Sequence, residues 1–259
     1  MKGLILAAGK GVRMKGLKGS KCLLPVRGTS LLERHIGRLL GMGIDDIIIV
    51  VGPRGGDVVR HARMSSAGAR LRFAVQPAPA GIADAVRCAV PLLGKDDFAL
   101  CLGDEMFYGD RPMEMLRFFS ETGAHCICGV VPGEPAEEIR KCYTVMTDNQ
   151  GNLLALEEKP RQPFNEFKGT GFCLFRAEAL GPLGVLQPNP ESGQYELCDW
   201  VAACIGAGLQ CKVFAFAERE FNINTREDYE NAEKYGRQEP ESAEKNNSVG
   251  SAEEMGGLP

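Results

Sequence analysis

The stretch Leu4-Ile5-Leu6-Ala7-Ala8-Gly9-Lys10-Gly11-Val12-Arg13-Met14, LILAAGKGVRM, joins an apolar run to two closely spaced glycines and then an arginine. A continuous apolar run bounded by glycine is the pattern of a strand buried on both faces. Gly9 and Gly11 let the backbone turn sharply and bring its N–H groups against a ligand with no Cβ in the way. Arg13 then supplies a fork of donors suited to phosphate oxygens, and Lys21 adds a second cation shortly downstream. The stretch therefore reads as a strand end that cradles a polyphosphate. It is not the dinucleotide fingerprint: the third glycine position of GxGxxG is Met14, and Asp45 and Asp46 precede the next strand rather than end it. The GxxxxGK[ST] of a P-loop is also absent.

Working outward, short β-branched runs alternate with helix-spaced stretches. Strands are expected at Lys2–Ala7, Asp46–Val51, Leu71–Val75, Phe98–Leu102 and Cys126–Val131, and helices near 30–42, 56–65, 81–93 and 112–122. Ser30-Leu31-Leu32-Glu33 is a capping box, after which Leu31, Leu32, Ile36, Leu39 and Leu40 share one helix face. This rhythm predicts an α/β fold with a mostly parallel sheet covered on both faces. After about residue 140 it changes. Tyr143–Thr147 and Asn152–Glu158 flank the turn Asp148-Asn149-Gln150-Gly151 and read as a hairpin. A strand at Lys168–Phe175, helices near 176–184 and 194–207, a strand at Gln210–Phe216 and a helix from Thr225 to Tyr235 follow.

Bulk composition narrows the function. The chain has 259 residues, 44% hydrophobic and 25% charged, with a net charge of -4. It has no basic field for wrapping nucleic acid, so an anion site must be local. The leading apolar run, about six residues, is too short for a signal peptide or a membrane span. Ten cysteines lie mostly in apolar runs, without zinc spacing, and read as reduced, buried thiols of a cytoplasmic protein. Residues 237–259 carry two basic and five acidic side chains with no aromatic residue, and read as a disordered acidic tail after a catalytic domain spanning 1–236.

The wider run Leu4–Val26, LILAAGKGVRM…SKCLLPV, resembles the nucleotidylyltransferase signature LAxGxGxRM followed by PKxLLP. Val75-Gln76-Pro77 with Gly81, Leu102-Gly103-Asp104, Glu157-Glu158-Lys159-Pro160, Gly169-Thr170-Gly171 and Phe221-Asn222-Ile223-Asn224-Thr225 fit the same family in order and distance. The chain resembles the sugar-1-phosphate nucleotidylyltransferases, which activate hexose phosphates with UTP or TTP. The resemblance implies a three-layer α/β/α nucleotide-diphospho-sugar transferase-like fold, a Rossmann-like mixed sheet with a small β-rich acceptor lobe at about 140–215. It also implies a cytoplasmic enzyme, with room for a homo-oligomer, whose partners are an NTP and a sugar 1-phosphate.

By the same resemblance, Arg13 holds the β- and γ-phosphates, and Lys21 sits on the α-phosphate. Asp104 is the hard-oxygen ligand for Mg²⁺, with Asn222 as second ligand and Asn224 as the fallback. Gln76 reads the base, Gly81 closes on the ring, and backbone of Leu6, Ala8, Gly9, Gly11 and Gly103 completes the nucleotide slot. Lys159 grips the acceptor phosphate, Glu158 takes sugar hydroxyls, and Gly171 allows close approach of the acceptor. One position departs from the pattern: hexose-phosphate members commonly have Tyr-Gly where this chain has Tyr143-Thr144, and a β-branched Thr144 is expected to reshape the pocket. That leaves a CTP-dependent cytidylyltransferase for a small phosphate or phosphonate such as phosphocholine as an alternative. A glycosyltransferase of similar fold, using a nucleotide sugar, is the alternative of another class, although it would bring an Asp-x-Asp where this chain has Gly103-Asp104-Glu105.

Overall fold

In the computed structural model, which describes residues 1–9 and 19–238, the opening apolar run is β1 (Lys2–Ala7). A small hairpin, β2 (Pro25–Val26) and β3 (Thr29–Ser30), leads into α1 (Leu31–Gly41). Then come β4 (Asp46–Val51), α2 (Gly56–Ser65), β5 (Arg70–Val75), α3 (Ile82–Leu93) and β6 (Phe98–Leu102). β7 (Glu105–Tyr108), α4 (Pro112–Thr122), β8 (Cys126–Val131) and the one-turn α5 (Ala136–Ile139) follow. β9 (Tyr143–Thr147) and β10 (Leu153–Glu158) form the expected hairpin, and β11 (Lys168–Phe175) comes next. The chain continues through α6 (Leu180–Val185), α7 (Leu197–Gly206), β12 (Cys211–Ala215), β13 (Arg219–Asn222) and α8 (Arg226–Gln238).

Seven strands form one sheet in the order β12-β8-β11-β6-β1-β4-β5. All neighbours are parallel except β11, which runs antiparallel to both β6 and β8 and makes the sheet mixed. The side-chain period of two divides the apolar strands between two cores. Leu4, Ile48, Val50 and Leu100 face α3 and α7, meeting Val86, Leu93, Trp200 and Val201. Ile5, Ile47, Ile49 and Cys101 face the other way, onto Leu32, Ile36, Leu39, Val58, Met115 and Phe119 of α1, α2 and α4. Continuous burial along β4 follows from this two-sided cover. A third cluster, with Val26, Leu31, Met106, Tyr108, Ile223 and Ala232, seats α8 against the small strands.

Several element bounds shift by a residue or more, among them those of β5, β10 and β12, and two shifts bear on the expected lobe and tail. Of the span 140–215 expected as an acceptor lobe, only β9 and β10 stand apart in their own two-stranded sheet, because β11 and β12 are apolar enough to be taken into the central one. The last helix runs on to Gln238, so residues 237 and 238, read as the start of the tail, are helical; the rest of the tail lies outside the described residues. All ten cysteines are free thiols and eight are buried. Across strands Cys128 sits opposite Cys173 and Cys126 opposite Cys211. No helix among the described residues is long and apolar enough to cross a membrane.

Candidate active site

The parallel strands β1, β5 and β6 deliver Gly9, Gln76 and Asp104 to the carboxyl edge of the sheet, where open α/β sheets bind ligands. These residues line one cleft of about 620 Å³ together with Tyr143, Glu158 and Lys159 from the β9–β10 hairpin and Asn222 and Asn224 from the end of β13. A smaller recess beside it is lined by Lys21, Gly103 and Asp104.

Gln76 follows β5 directly and is almost wholly buried. Its amide nitrogen donates to Gly81 O at 3.0 Å and to Asp84 Oδ2 at 2.8 Å. Gly81 caps α3 at φ 113°, a conformation L side chains rarely adopt, and a Cβ there would run into the backbone of Tyr195. The same backbone pins the turn, Tyr195 N–H donating to Ala80 O at 2.8 Å and Ala83 N–H to Tyr195 O at 2.9 Å.

The charged centre is a chain of contacts. Lys21 Nζ donates to Asn224 Oδ1 at 2.7 Å and lies 3.5 Å from Asp104 Oδ2, so its main partner is a neutral amide. Asn224 Nδ2 donates in turn to Asn222 Oδ1 at 2.8 Å. This grouping depends on two strands that sequence periodicity did not show. β7 starts just after Asp104 and pairs antiparallel with β13, with Asn222 opposite Glu105. Ile223 N–H then closes the junction on Asp104 O at 2.8 Å. Among the described residues no group of three or more His, Cys, Asp or Glu side chains could hold a metal. The oxygens on hand are the Asp104 carboxylate and the two asparagine amides.

At the other group of cleft residues, Lys159 has φ 46°, an uncommon left-handed conformation for a lysine. Its N–H donates to Cys142 O at 2.6 Å, and its ammonium lies 3.1 Å from Glu158 Oε1. Glu158 also accepts from the Cys198 thiol, Sγ to Oε2 3.6 Å. Burial pushes the Glu158 carboxyl above the usual range, and Lys159 opposes that rise.

Gly171 lines the cleft and also has a packing role that the sequence did not suggest. A Cβ there would collide with the Leu102 side chain, and its N–H donates to both oxygens of Glu105, at 2.8 and 3.0 Å. Glu105 is itself a cleft residue, buried, with its carboxyl pushed well up by burial and then by Glu220 and Asp104. Tyr143 is anchored through its hydroxyl to Thr170 O at 2.8 Å. Thr144 is the expected residue that the fold does not bring to the cleft. It is wholly buried, and its Oγ1 accepts from Phe164 N–H at 3.2 Å, so its side chain does not itself line the cleft.

Leu6, Ala8, Gly9, Gln76, Gly81, Asp104, Tyr143, Glu158, Lys159, Gly171, Asn222 and Asn224 thus share one cleft, with Lys21 and Gly103 in the adjoining recess. Gly11 and Arg13 lie outside the described residues. The cleft also takes in Lys141, Ser192, Gln194 and Glu196, which belong to no motif read from the sequence. Ser192 donates to Glu196 Oε1 at 2.8 Å. The proximity of Lys141 to Tyr143 in the chain was the only available signal for any of them.

The nucleotidyl transferase family model matches residues 2–217. A glucose-1-phosphate thymidylyltransferase of Neisseria gonorrhoeae is 32% identical over 205 residues, 77% of this chain and 69% of that one. Another, from Mycolicibacterium smegmatis, is 30% identical over 204 residues, again 77% and 69%. Among solved structures, a UDP-glucose pyrophosphorylase complexed with UDP-glucose superposes with a TM-score of 0.81 over 91% of this chain and 98% of that one, at 17% identity, a likeness of fold. The spaced motifs, the mixed seven-stranded sheet and the match along most of its length place this chain in the nucleotidyl transferase family, beside the sugar-1-phosphate nucleotidylyltransferases.

Proposed function

We propose that the protein transfers the nucleoside monophosphate of UTP or TTP to a sugar 1-phosphate, giving a nucleotide sugar and pyrophosphate. One observation carries this reading: a single cleft holds an oriented amide, Gln76, a lysine–glutamate pair, Lys159 and Glu158, and the Asp104 and Asn224 side chains that Lys21 reaches from the adjoining recess. A phosphate oxygen of the acceptor attacks the α-phosphorus, the bond to the β-phosphate oxygen breaks, and pyrophosphate leaves. Such a step needs positioning and cancellation of crowded negative charge more than covalent help. Lys21 would exchange its amide partner for the α-phosphate, a stronger acceptor because it is charged. Lys159 would hold the incoming phosphate, and Glu158 would accept from sugar hydroxyls. Arg13 is assigned to the leaving pyrophosphate. The β9–β10 hairpin, with the turn at Ser192–Glu196, forms the acceptor side.

A divalent cation fits the donor set. Asp104 supplies one carboxylate, and Asn222, with Asn224, supplies neutral oxygens suited to Mg²⁺. One carboxylate makes a weak site by itself, so affinity would lean on the nucleotide's phosphates. When bound, the ion offsets phosphate charge. The buried free thiols suit a reducing compartment, the cytoplasm. The glycosyltransferase alternative lacks the Asp-x-Asp it would bring, and the carboxylate after Asp104, Glu105, is buried and tied to Gly171 N–H.

The test is a pyrophosphate-release matrix of the four common NTPs and TTP against hexose 1-phosphates and small phosphomonoesters, with Mg²⁺. Release with UTP or TTP that requires a sugar 1-phosphate is expected, and Asp104→Ala should abolish it. Turnover only with CTP and phosphocholine, or none with any pair, would overturn the assignment.

A further inference from the structure

The geometry assigns to Asp84 the role of a positioning residue that sets which bases the cleft takes; the inference rests on the reading of Gln76 as the base contact. A glutamine amide is ambiguous, because rotation by half a turn exchanges its donor for its acceptor and changes the base it matches. Here that ambiguity is removed. The two acceptors beside Gln76 are Gly81 O, at 3.0 Å, and Asp84 Oδ2, at 2.8 Å. A carbonyl and a carboxylate accept only, so both must face the NH₂ group, and its two protons are used up. The reversed amide would press its own oxygen against two others.

What remains is Gln76 Oε1, which takes no hydrogen bond from any described residue, on a side chain that lines the cleft while Asp84 does not. Asp84 lies in the first turn of α3, on the helix that Gly81 caps, so both acceptors are held by one element. The side chain thus offers the base an acceptor and no donor. Uracil and thymine present an imino N–H at N3 and complete the bond. Where Oε1 faces N3, cytosine presents a lone pair and is repelled, its donor being the 4-amino group one position along the edge, which is selection by mismatch as well as by match. On this account Asp84, through Gln76, excludes CTP, and the Thr144 departure does not re-open the cytidylyltransferase reading.

The experiment measures kcat/KM for UTP, TTP and CTP with one hexose 1-phosphate, using the full chain and its Asp84→Asn, Asp84→Ala and Gln76→Ala variants. The quantity read is the ratio of the better of UTP and TTP to CTP. That ratio is independent of the folded fraction, so partial misfolding cannot mimic the effect. Asparagine at 84 can donate as well as accept, and alanine does neither, so each variant removes one of the two constraints and leaves Gly81 O alone to orient the amide. Both should lower the ratio at least tenfold, with KM for the acceptor changed less than twofold. If Gln76→Ala shifts the ratio while both Asp84 variants leave it within twofold, Asp84 does not set base choice. If Gln76→Ala also leaves it unchanged, the base-contact reading of Gln76 itself is overturned.

Discussion

Lys159 is held where a lysine does not go unaided. Its φ of 46° is uncommon for a non-glycine residue, and such positions persist where surrounding contacts over-determine them. The short bond from its N–H to Cys142 O supplies one such contact, and Pro160 behind it disfavours the right-handed helical alternative. With the backbone fixed, the ammonium lies beside Glu158. Lys159→Ala should therefore lower kcat/KM for the acceptor by about 100-fold, the scale of a charge-assisted hydrogen bond, with the Kd for NTP nearly unchanged. Steady-state kinetics against isothermal titration would show it, and equal losses for both substrates would contradict the placement. Gln76→Glu is predicted to be worse than removal of a donor alone, because it sets a second carboxylate within hydrogen-bonding distance of Asp84. UTP and TTP use should fall more than in Gln76→Ala; a milder effect than alanine would count against the contact. Lys21, Asp104 and Lys159, to which the proposed reaction gives chemistry of their own, were legible as residues of family motifs, and the fold brings them to the cleft and its recess. Asp84 and Glu105 were not: their contacts, with Gln76 across the β5–α3 turn and with the Gly171 N–H on β11, are made by the fold and belong to no motif spacing.

The elements most legible were those whose burial pattern is written locally. β1, β4, β6, β8, β9 and β11 have the bounds expected from their apolar runs, and α1 starts at the capping box. There the Ser30 hydroxyl accepts from Glu33 N–H at 3.2 Å while Glu33 accepts from Ser30 N–H at 2.8 Å. Ser30 is buried and also within 3.0 Å of His61 Nε2, so its loss leaves more than one group without its partner. Ser30→Ala should destabilise folding by about 1–2 kcal/mol, the upper part of the range for caps, and leave kcat per folded molecule unchanged. Urea denaturation beside active-site titration reads both, and an unchanged urea midpoint would show that the cap contributes nothing here. β7 and β13 were missed because four residues carry too little period to separate strand from loop. They become strands only through each other, across more than a hundred residues of chain, and that pairing brings Asn222 to Asp104. The antiparallel insertion of β11 was hidden for a related reason: an apolar strand reads the same in either direction.

At the scale of the whole molecule, the buried titratable groups pull stability in opposite directions with pH. Glu105 and Glu220 have carboxyls raised by burial, so the folded state holds protons that the unfolded chain releases, and each weakens folding as pH climbs above its ordinary range. His35 acts the other way. It lies fully buried on α1, edge-on to Phe107 of β7, with Nδ1 accepting from Arg38 Nη1 at 3.1 Å. Burial first, and the Arg38 charge second, depress its imidazolium to about 3, from 6.5. Below pH 6.5 the unfolded chain therefore takes up a proton that the folded chain refuses, and stability falls as pH drops from there toward 3. At pH 5 the loss from this one residue is about 2 kcal/mol, at 1.36 kcal/mol per unit. The two kinds of group separate in a difference measurement, because replacing His35 leaves the carboxyls in place. Urea unfolding of the wild type and His35→Leu at pH 7 and pH 5 should show the variant losing about 2 kcal/mol less between the two, whatever its stability at pH 7. Parallel losses in both proteins would mean that His35 is protonated in the folded state and that the α1–β7 interface admits charge.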